Sequence, residues 1–294
     1  MTDLRTVPLT DRFGVILPEC DLKDVNRPGV FPRIRALFEE HSALLFPGQH
    51  LSDEGHLTLA RHFGPIEDRL ADERKEGEAY KIPQVSNVTE DGLTGEEDLH
   101  MLHLKANFLW HADSTFMPVP ALANILVARV VTESGGATEL ASTREALAEM
   151  PDVLKARLRG KRLRHRYAHS RARISPALAA LPMFHKWPDQ IWPAIWTNPV
   201  NGKEAVYIAS HACAVEGMGA EEGAALIDEI TAFCTQPRFT YSHNWRVGDV
   251  LIWDQRAVLH RGRPWPMDQP RTLSSLCVSV TEADGLEAMR SGAG

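Results

Sequence analysis

The sequence predicts a mainly β chain with flanking helices, in which many short strands form a jelly-roll or sandwich core. Three observations predict it. Short apolar runs rich in β-branched residues recur along the chain, turns containing Gly or Pro separate them, and few stretches repeat apolar residues at helical spacing. Strands of this kind bury their apolar faces by layering one sheet on another, and such cores supply a cavity for a site. The 294 residues suit one β-rich domain with elaborations, since such domains commonly run to roughly 200–250 residues. We therefore expect a single domain over 1–294.

The elements follow in order. Phe31 to Ser42 places Ile34, Leu37 and Phe38 at helical spacing, and the apolar run Ala43 to Phe46 reads as a strand ended by Pro47-Gly48. Ser52 to Phe63 is a second amphipathic helix, stopped by Gly64-Pro65. Residues 66–106 are densely charged around one strand-like piece, Ile82 to Val88, and read as a solvated insertion or a lid. Ala121 to Val131 is a buried strand followed by a Gly135-Gly136 turn. Thr143 to Arg159 is a helix that Pro151 splits, and the basic run Lys161 to Arg173 reads as a solvated face. Ala194 to Thr197 and Ala205 to Ala209 are strands joined by a turn, and Glu221 to Cys234 is a helix with Leu226, Ile230 and Phe233 on one face. Phe239 to Asn244, Val250 to Asp254 and Thr272 to Val280 complete the strands.

Composition excludes several classes. Lys and Arg number 32 against 39 Asp and Glu, a net charge of −7, which does not favour a polyanion, so no nucleic-acid partner is expected. Cys20, Cys213, Cys234 and Cys277 show neither metal-knuckle nor redox spacing and read as reduced thiols of a cytoplasmic protein. The first residues are acidic and contain Pro where a secretory signal needs a basic start and an apolar run. No stretch approaches the ~20 apolar residues of a membrane helix, so no membrane association is expected.

Chemistry concentrates in two segments. In extended backbone, residues two apart face the same side, so His111 and Asp113 can reach one ion. Alone, a His-x-Asp triplet is more often an ordinary polar pair. The second segment, Gly248 to His260, runs from an apolar strand through a polar turn to a histidine. Two histidines and one carboxylate on one face of an octahedron leave three positions open, as in non-haem iron(II) oxygenases; the absence of Cys from both segments argues against structural zinc.

From about Ala43 to Val280 the chain resembles the taurine dioxygenase and 2,4-dichlorophenoxyacetate dioxygenase family. The likeness rests on Phe46 to Gln49, Trp110 to Phe116, the turn Gly135, Gly136 and Thr138, the turn Pro199 to Lys203, and Trp253 to His260, five pieces in the family's order. The resemblance implies a double-stranded β-helix, cupin-like fold and an Fe(II)- and 2-oxoglutarate-dependent dioxygenase in which His111, Asp113 and His260 are the catalytic metal ligands. It implies that Arg271 pairs with the far carboxylate of 2-oxoglutarate, assisted by the hydroxyl of Thr138. A guanidinium fork suits that contact. Asn107 occupies the position the family uses near the substrate. The resemblance implies O2 as the second co-substrate and succinate and CO2 as the co-products. Because Asp113 is kept where related halogenases have a small residue, hydroxylation is implied.

The implied substrate is a small organic acid. Taurine dioxygenase carries an Arg four residues beyond the co-substrate Arg, and here that position is Ser275, which removes the main contact to a sulfonate. The wording around His111 is closer to aryloxyalkanoate oxygenases, so an ether that cleaves after hydroxylation is the first expectation. Lys105, Arg164 and Arg166 are alternative cations, His103 and Tyr80 are candidates for the lid side, and Trp187, Trp192 and Trp196 with Phe184 read as core. A homo-oligomer, dimer or tetramer, is expected from the family. Two other readings share the scaffold: a metal-dependent hydrolase or isomerase, and a non-catalytic binding protein.

Overall fold

Side-chain alternation builds the framework of the computed structural model, which describes residues 4–90, 92–95 and 98–292. Along Val250–Asp254, Val250 and Ile252 face one apolar layer while Leu251 and Trp253 face another. Ala121–Val130 does the same with Ile125 and Val127 against Leu126 and Ala128. Both strands are buried on two faces, which is why each is a nearly continuous apolar run.

These two strands pair antiparallel in register, Ile252 opposite Ile125, at the centre of a seven-stranded sheet. Its order is Val7–Pro8, Val15–Ile16, Ala43–Phe46, Val250–Asp254, Ala121–Val130, Thr272–Ser279 and Gln84–Ser86. A three-stranded sheet, in the order Thr240–His243, Thr138–Ser142, Val258–Gly262, packs against its inner face. Leu140 and Val258 there share a core with Leu126, Leu251, Trp253 and Leu273.

Helices close both outer faces. Ile34 and Phe38 of Val30–His41 and Leu59 and Phe63 of Asp53–Phe63 cover the large sheet, while Leu147 of Thr143–Ala148 and Leu226 and Ile230 of Ala220–Cys234 cover Ala141 and Leu259 of the small one. Each such fully buried side chain contributes about 1.5–3 kcal/mol relative to exposure. The Ser52 hydroxyl caps the second helix by accepting from Gly55 N at 3.1 Å.

The helix and strand expectations hold near their boundaries, including the break at Pro151 between Thr143–Ala148 and Asp152–Leu158. The balance differs: helices occupy about as many described residues as strands, so the chain is mixed rather than mainly β. Short helices such as Leu99–Lys105 and Tyr167–Ala172 arise in segments too brief to show a periodic apolar stripe. The basic run Lys161 to Arg173 is not simply a solvated face, because Leu163, His165, Ser170 and Arg171 are buried in it. All four cysteines are unpaired, and among the described residues no helix is long and apolar enough to cross a membrane.

Candidate active site

A cavity of about 750 Å³ opens on the inner face of the large sheet, with Asn124, Leu126, Trp253 and Leu273 on that wall and residues from 67–108 and 167–187 opposite. His111 and His260 meet in it through an isolated antiparallel bridge, each backbone N–H donating to the other's carbonyl at 3.0 and 2.8 Å. That bridge sets the two rings side by side, centroids 4.0 Å apart. Asp113 lies in the turn that follows, and Ser114 takes a left-handed φ of 58°. Strand alternation alone therefore does not align the pair, as the sequence suggested; a bridge followed by a turn does.

One ligand atom from each of His111, Asp113 and His260 lies within 4.8 Å of the others. Asp113 Oδ1 is 3.8 Å from His111 Nε2, and Oδ2 is 3.5 Å from His260 Nε2. His111 Nδ1 donates to Leu109 O at 2.7 Å, which leaves the Nε2 lone pair free toward the cluster. Burial lowers the pKa of both imidazoles, His260 to about 3, so both are neutral. Burial works against ionising Asp113, but the positive charge of Arg69 and a hydrogen bond from Asn124 favour the ionised form, and the carboxyl lies below the usual range. Asp113 Oδ2 accepts from Gln255 Nε2 at 2.6 Å and Asn124 Nδ2 at 2.8 Å, and Ser275 Oγ donates to Asn124 Oδ1 at 3.1 Å. Two neutral imidazoles and an oriented carboxylate form a donor set suited to a divalent first-row metal.

Cys277, outside both segments in sequence, stands beside the cluster in space. Its Sγ is 3.6 Å from Asp113 Oδ2, but burial, reinforced by Asp113 and Glu67, keeps it a neutral thiol donor.

Arg271 is 3% exposed, and among the described residues no carboxylate pairs with it. Its Nε and Nη2 donate to Gly136 O at 3.0 and 2.8 Å, and its guanidinium lies 4.7 Å from the Trp265 ring centroid. Burial lowers its pKa to about 10, so it stays charged at neutral pH. A buried, uncompensated charge costs several kcal/mol and asks for an anion. Gly136, at φ +66°, favours glycine, because a Cβ there would stand 3.0 Å from Arg271 Nε. Thr138 Oγ1 accepts from Trp245 Nε1 at 3.0 Å, which leaves its own hydrogen to give.

Residues 5–277 match the model of the family described as "Taurine catabolism dioxygenase TauD, TfdA family". The chain belongs to that family. It is 34% identical over 270 residues to an alpha-ketoglutarate-dependent 2,4-dichlorophenoxyacetate dioxygenase from Cupriavidus pinatubonensis, covering 90% of this chain and 94% of that protein. It is 32% identical over 275 residues to an (S)-phenoxypropionate/alpha-ketoglutarate-dioxygenase from Sphingobium herbicidovorans, covering 90% and 91%. The crystal structure of AAD-2 with Mn(II) and N-oxalylglycine superposes with a TM-score of 0.89 at 28% identity, over 95% of this chain and 99% of that one. The chain is thus an oxidoreductase of the 2-oxoglutarate-dependent dioxygenase class, whose members use Fe(II), 2-oxoglutarate and O2.

Within this TauD, TfdA chain the other matched pieces divide by task. Asn198 and Asn201, flanking and within the Pro199 to Lys203 turn, bind Glu39, and Arg256 pairs with Glu39 and Asp254, so these pieces brace the fold. Asn107, His103 and Tyr80 line the cavity. Lys105, Arg164 and Arg166 are outside its lining, and the last two lie within 3.9 and 2.7 Å of Asp189. Trp192 and Trp196 are core, whereas Trp187 borders the cavity. Sequence reasoning missed Gln255, Asn124, Arg69 and Arg171. Gln255 was within reach, since it sits inside the matched Trp253 to His260 stretch; the others carry no local signal.

Proposed function

We propose that this dioxygenase hydroxylates a small organic acid of the aryloxyalkanoate type, whose ether then cleaves, with release of succinate and CO2. In this reading His111, Asp113 and His260 hold Fe(II), Arg271 and Thr138 hold the far carboxylate of 2-oxoglutarate, and Asn107 faces the substrate. The observation that carries it is the buried, unpaired guanidinium of Arg271 in the same cavity as the His-Asp-His cluster.

When bound, Fe(II) offers open positions for the keto acid and O2 and supplies the oxidising chemistry. The chain's own groups position and exclude. Gln255 and Asn124 fix Asp113, and the bridge between His111 and His260 fixes the imidazoles. Apolar Leu126, Trp253 and Leu273 limit water on the sheet side. Keeping a carboxylate at position 113 leaves no place for a halide and favours hydroxylation.

The same reading takes the two facing sheets as a double-stranded β-helix within one domain over 1–294. It takes 66–106 as a lid, supported by Arg69, Tyr80, His100 and His103 on the cavity wall. The family resemblance supports a homo-oligomer, dimer or tetramer, and the unpaired cysteines suit a cytoplasmic location.

The test is succinate formation from 2-oxoglutarate triggered by a panel of aryloxyalkanoates, sulfonates and sulfate esters. An aryloxyalkanoate response that requires Fe(II) and O2 together is expected. Turnover with Zn(II) in the absence of O2 would instead identify a hydrolase.

A further inference from the structure

We propose that Arg171 is the cation that receives the carboxylate of the primary substrate. The inference rests on the dioxygenase reading above and names the recognition group within that same cavity.

The argument begins with the cations that line the cavity. Arg69 pairs with Glu67 at 2.5 Å, Arg74 with Asp68 at 2.6 Å, and Lys186 with Asp72 and Glu73 at 2.6 and 2.7 Å. Lys81 is exposed. Two guanidiniums remain that are both buried and without a carboxylate among the described residues, Arg271 and Arg171, at 3% and 6% exposure. Arg271 is accounted for by the co-substrate.

Among the described residues, Arg171 is held only by neutral acceptors. Its Nη1 donates to Ser170 Oγ at 2.8 Å and its Nη2 to His103 Nε2 at 3.0 Å and Tyr167 Oη at 3.4 Å, while the buried Nε has no partner. Burial lowers the pKa of His103 to about 3, and the neighbouring cation adds to this, so His103 accepts as a neutral ring. The guanidinium also lies over the rings of Tyr167 and Phe184, 4.6 and 5.3 Å from their centroids. These contacts fix its direction without neutralising it. An unpartnered Nε on a pre-oriented guanidinium that lines the cavity is a group that a carboxylate completes with charge-assisted hydrogen bonds.

The surroundings suit the rest of such a ligand. Phe116 stacks on Tyr167 with centroids 3.7 Å apart, and Trp187 borders the same pair. A small acid with an aromatic or apolar body therefore finds its charge at Arg171 and its body against these rings. The absent Arg at position 275 is thereby replaced by a cation from a different part of the chain.

The experiment is calorimetric titration of phenoxyacetate and of its uncharged amide into the protein loaded with Mn(II) and 2-oxoglutarate, which binds without turnover. Arg171→Gln is expected to weaken phenoxyacetate roughly 10- to 100-fold, with Arg171→Lys between, while amide binding and 2-oxoglutarate affinity change less than about 3-fold. Acid binding unchanged in Arg171→Gln, or acid and 2-oxoglutarate weakened equally, overturns the proposal. So does the absence of saturable binding of phenoxyacetate to the wild type. Should Arg171→Gln fail to fold by thermal unfolding, the wild-type preference for acid over amide and its decrease in Arg171→Lys decide, equal binding of acid and amide being the contrary result. A wild type that binds phenoxyacetate through Arg171 but makes no succinate with Fe(II) refutes the dioxygenase reading and leaves this one standing; succinate formation indifferent to Arg171 does the reverse.

Discussion

Arg256 and Arg271 are both buried, yet they belong to opposite kinds of environment. Behind the large sheet, Arg256 is 1% exposed and meets Asp254 at 2.9 Å and Glu39 at 2.6 Å, and Glu39 is further bound by Arg35 and Asn198. In the cavity, the Arg271 guanidinium meets, among the described residues, a carbonyl and a ring. Arg35, Glu39, Asp254, Arg256 and Asp284 answer one another behind the sheet, which makes a rigid brace. The cavity leaves positive charge unanswered, and that stored cost is what an anionic ligand offsets.

The largest effect expected is in the His-Asp-His cluster that lines the cavity. Asp113→Ala or His260→Ala should lower succinate formation roughly 1000-fold or more, with thermal stability nearly kept. Substantial residual turnover in either would remove the proposed ligands.

The two arginines then separate by which quantity moves. Arg256→Gln should destabilise the fold by about 3–5 kcal/mol in urea unfolding, because it removes the close cation from buried Asp254 and one of the two on Glu39. Arg271→Gln should leave stability equal or higher but raise KM for 2-oxoglutarate roughly 100-fold. Equal stability losses in the two variants would show the contrast to be false.

Smaller changes sharpen it. His56 lies behind the sheet, its Nε2 2.9 Å from Ile125 O, and burial lowers its pKa to about 4. The unfolded chain takes up this proton near pH 6.5, so the contribution is complete above that pH and is lost as pH falls toward 4, at about 1.4 kcal/mol per pH unit. His56→Gln should remove that share of the acid sensitivity, seen as a shallower fall in urea midpoint between pH 6.5 and 4. Gly136→Ala puts a Cβ against Arg271 at a left-handed φ and should cost about 1 kcal/mol of stability with a rise of roughly 10-fold in KM for 2-oxoglutarate. Ser275→Ala loses only the bond to Asn124 and should weaken Mn(II) binding by a few-fold, near 1 kcal/mol.

What was readable in the sequence follows the same division. Strands buried on both faces, such as Ala121–Val130 and Val250–Asp254, announce themselves as unbroken apolar runs. Thr138–Ser142 and Val258–Gly262 do not, because Thr138 and His260 turn toward the cavity and Glu139 and Arg261 pair with each other across the strands. His111, Asp113, His260, Arg271 and Thr138 were singled out through family-like wording, and the structure gathers them in one cavity. Arg171 was hidden inside a basic run because nothing local distinguishes a buried arginine from its exposed neighbours Arg164 and Arg166; three-dimensional packing on Tyr167 and Phe184 makes that distinction. Gln255 and Asn124 act through Asp113 from distant positions, a relation that only the fold creates.

The most direct test of the central claim is a crystal structure of the protein with Mn(II) and 2-oxoglutarate bound. The account predicts the ion coordinated by His111, Asp113 and His260, with the distal carboxylate of 2-oxoglutarate on Arg271 and Thr138. A dicarboxylate seated away from Arg271, or an ion held by other side chains, would contradict it.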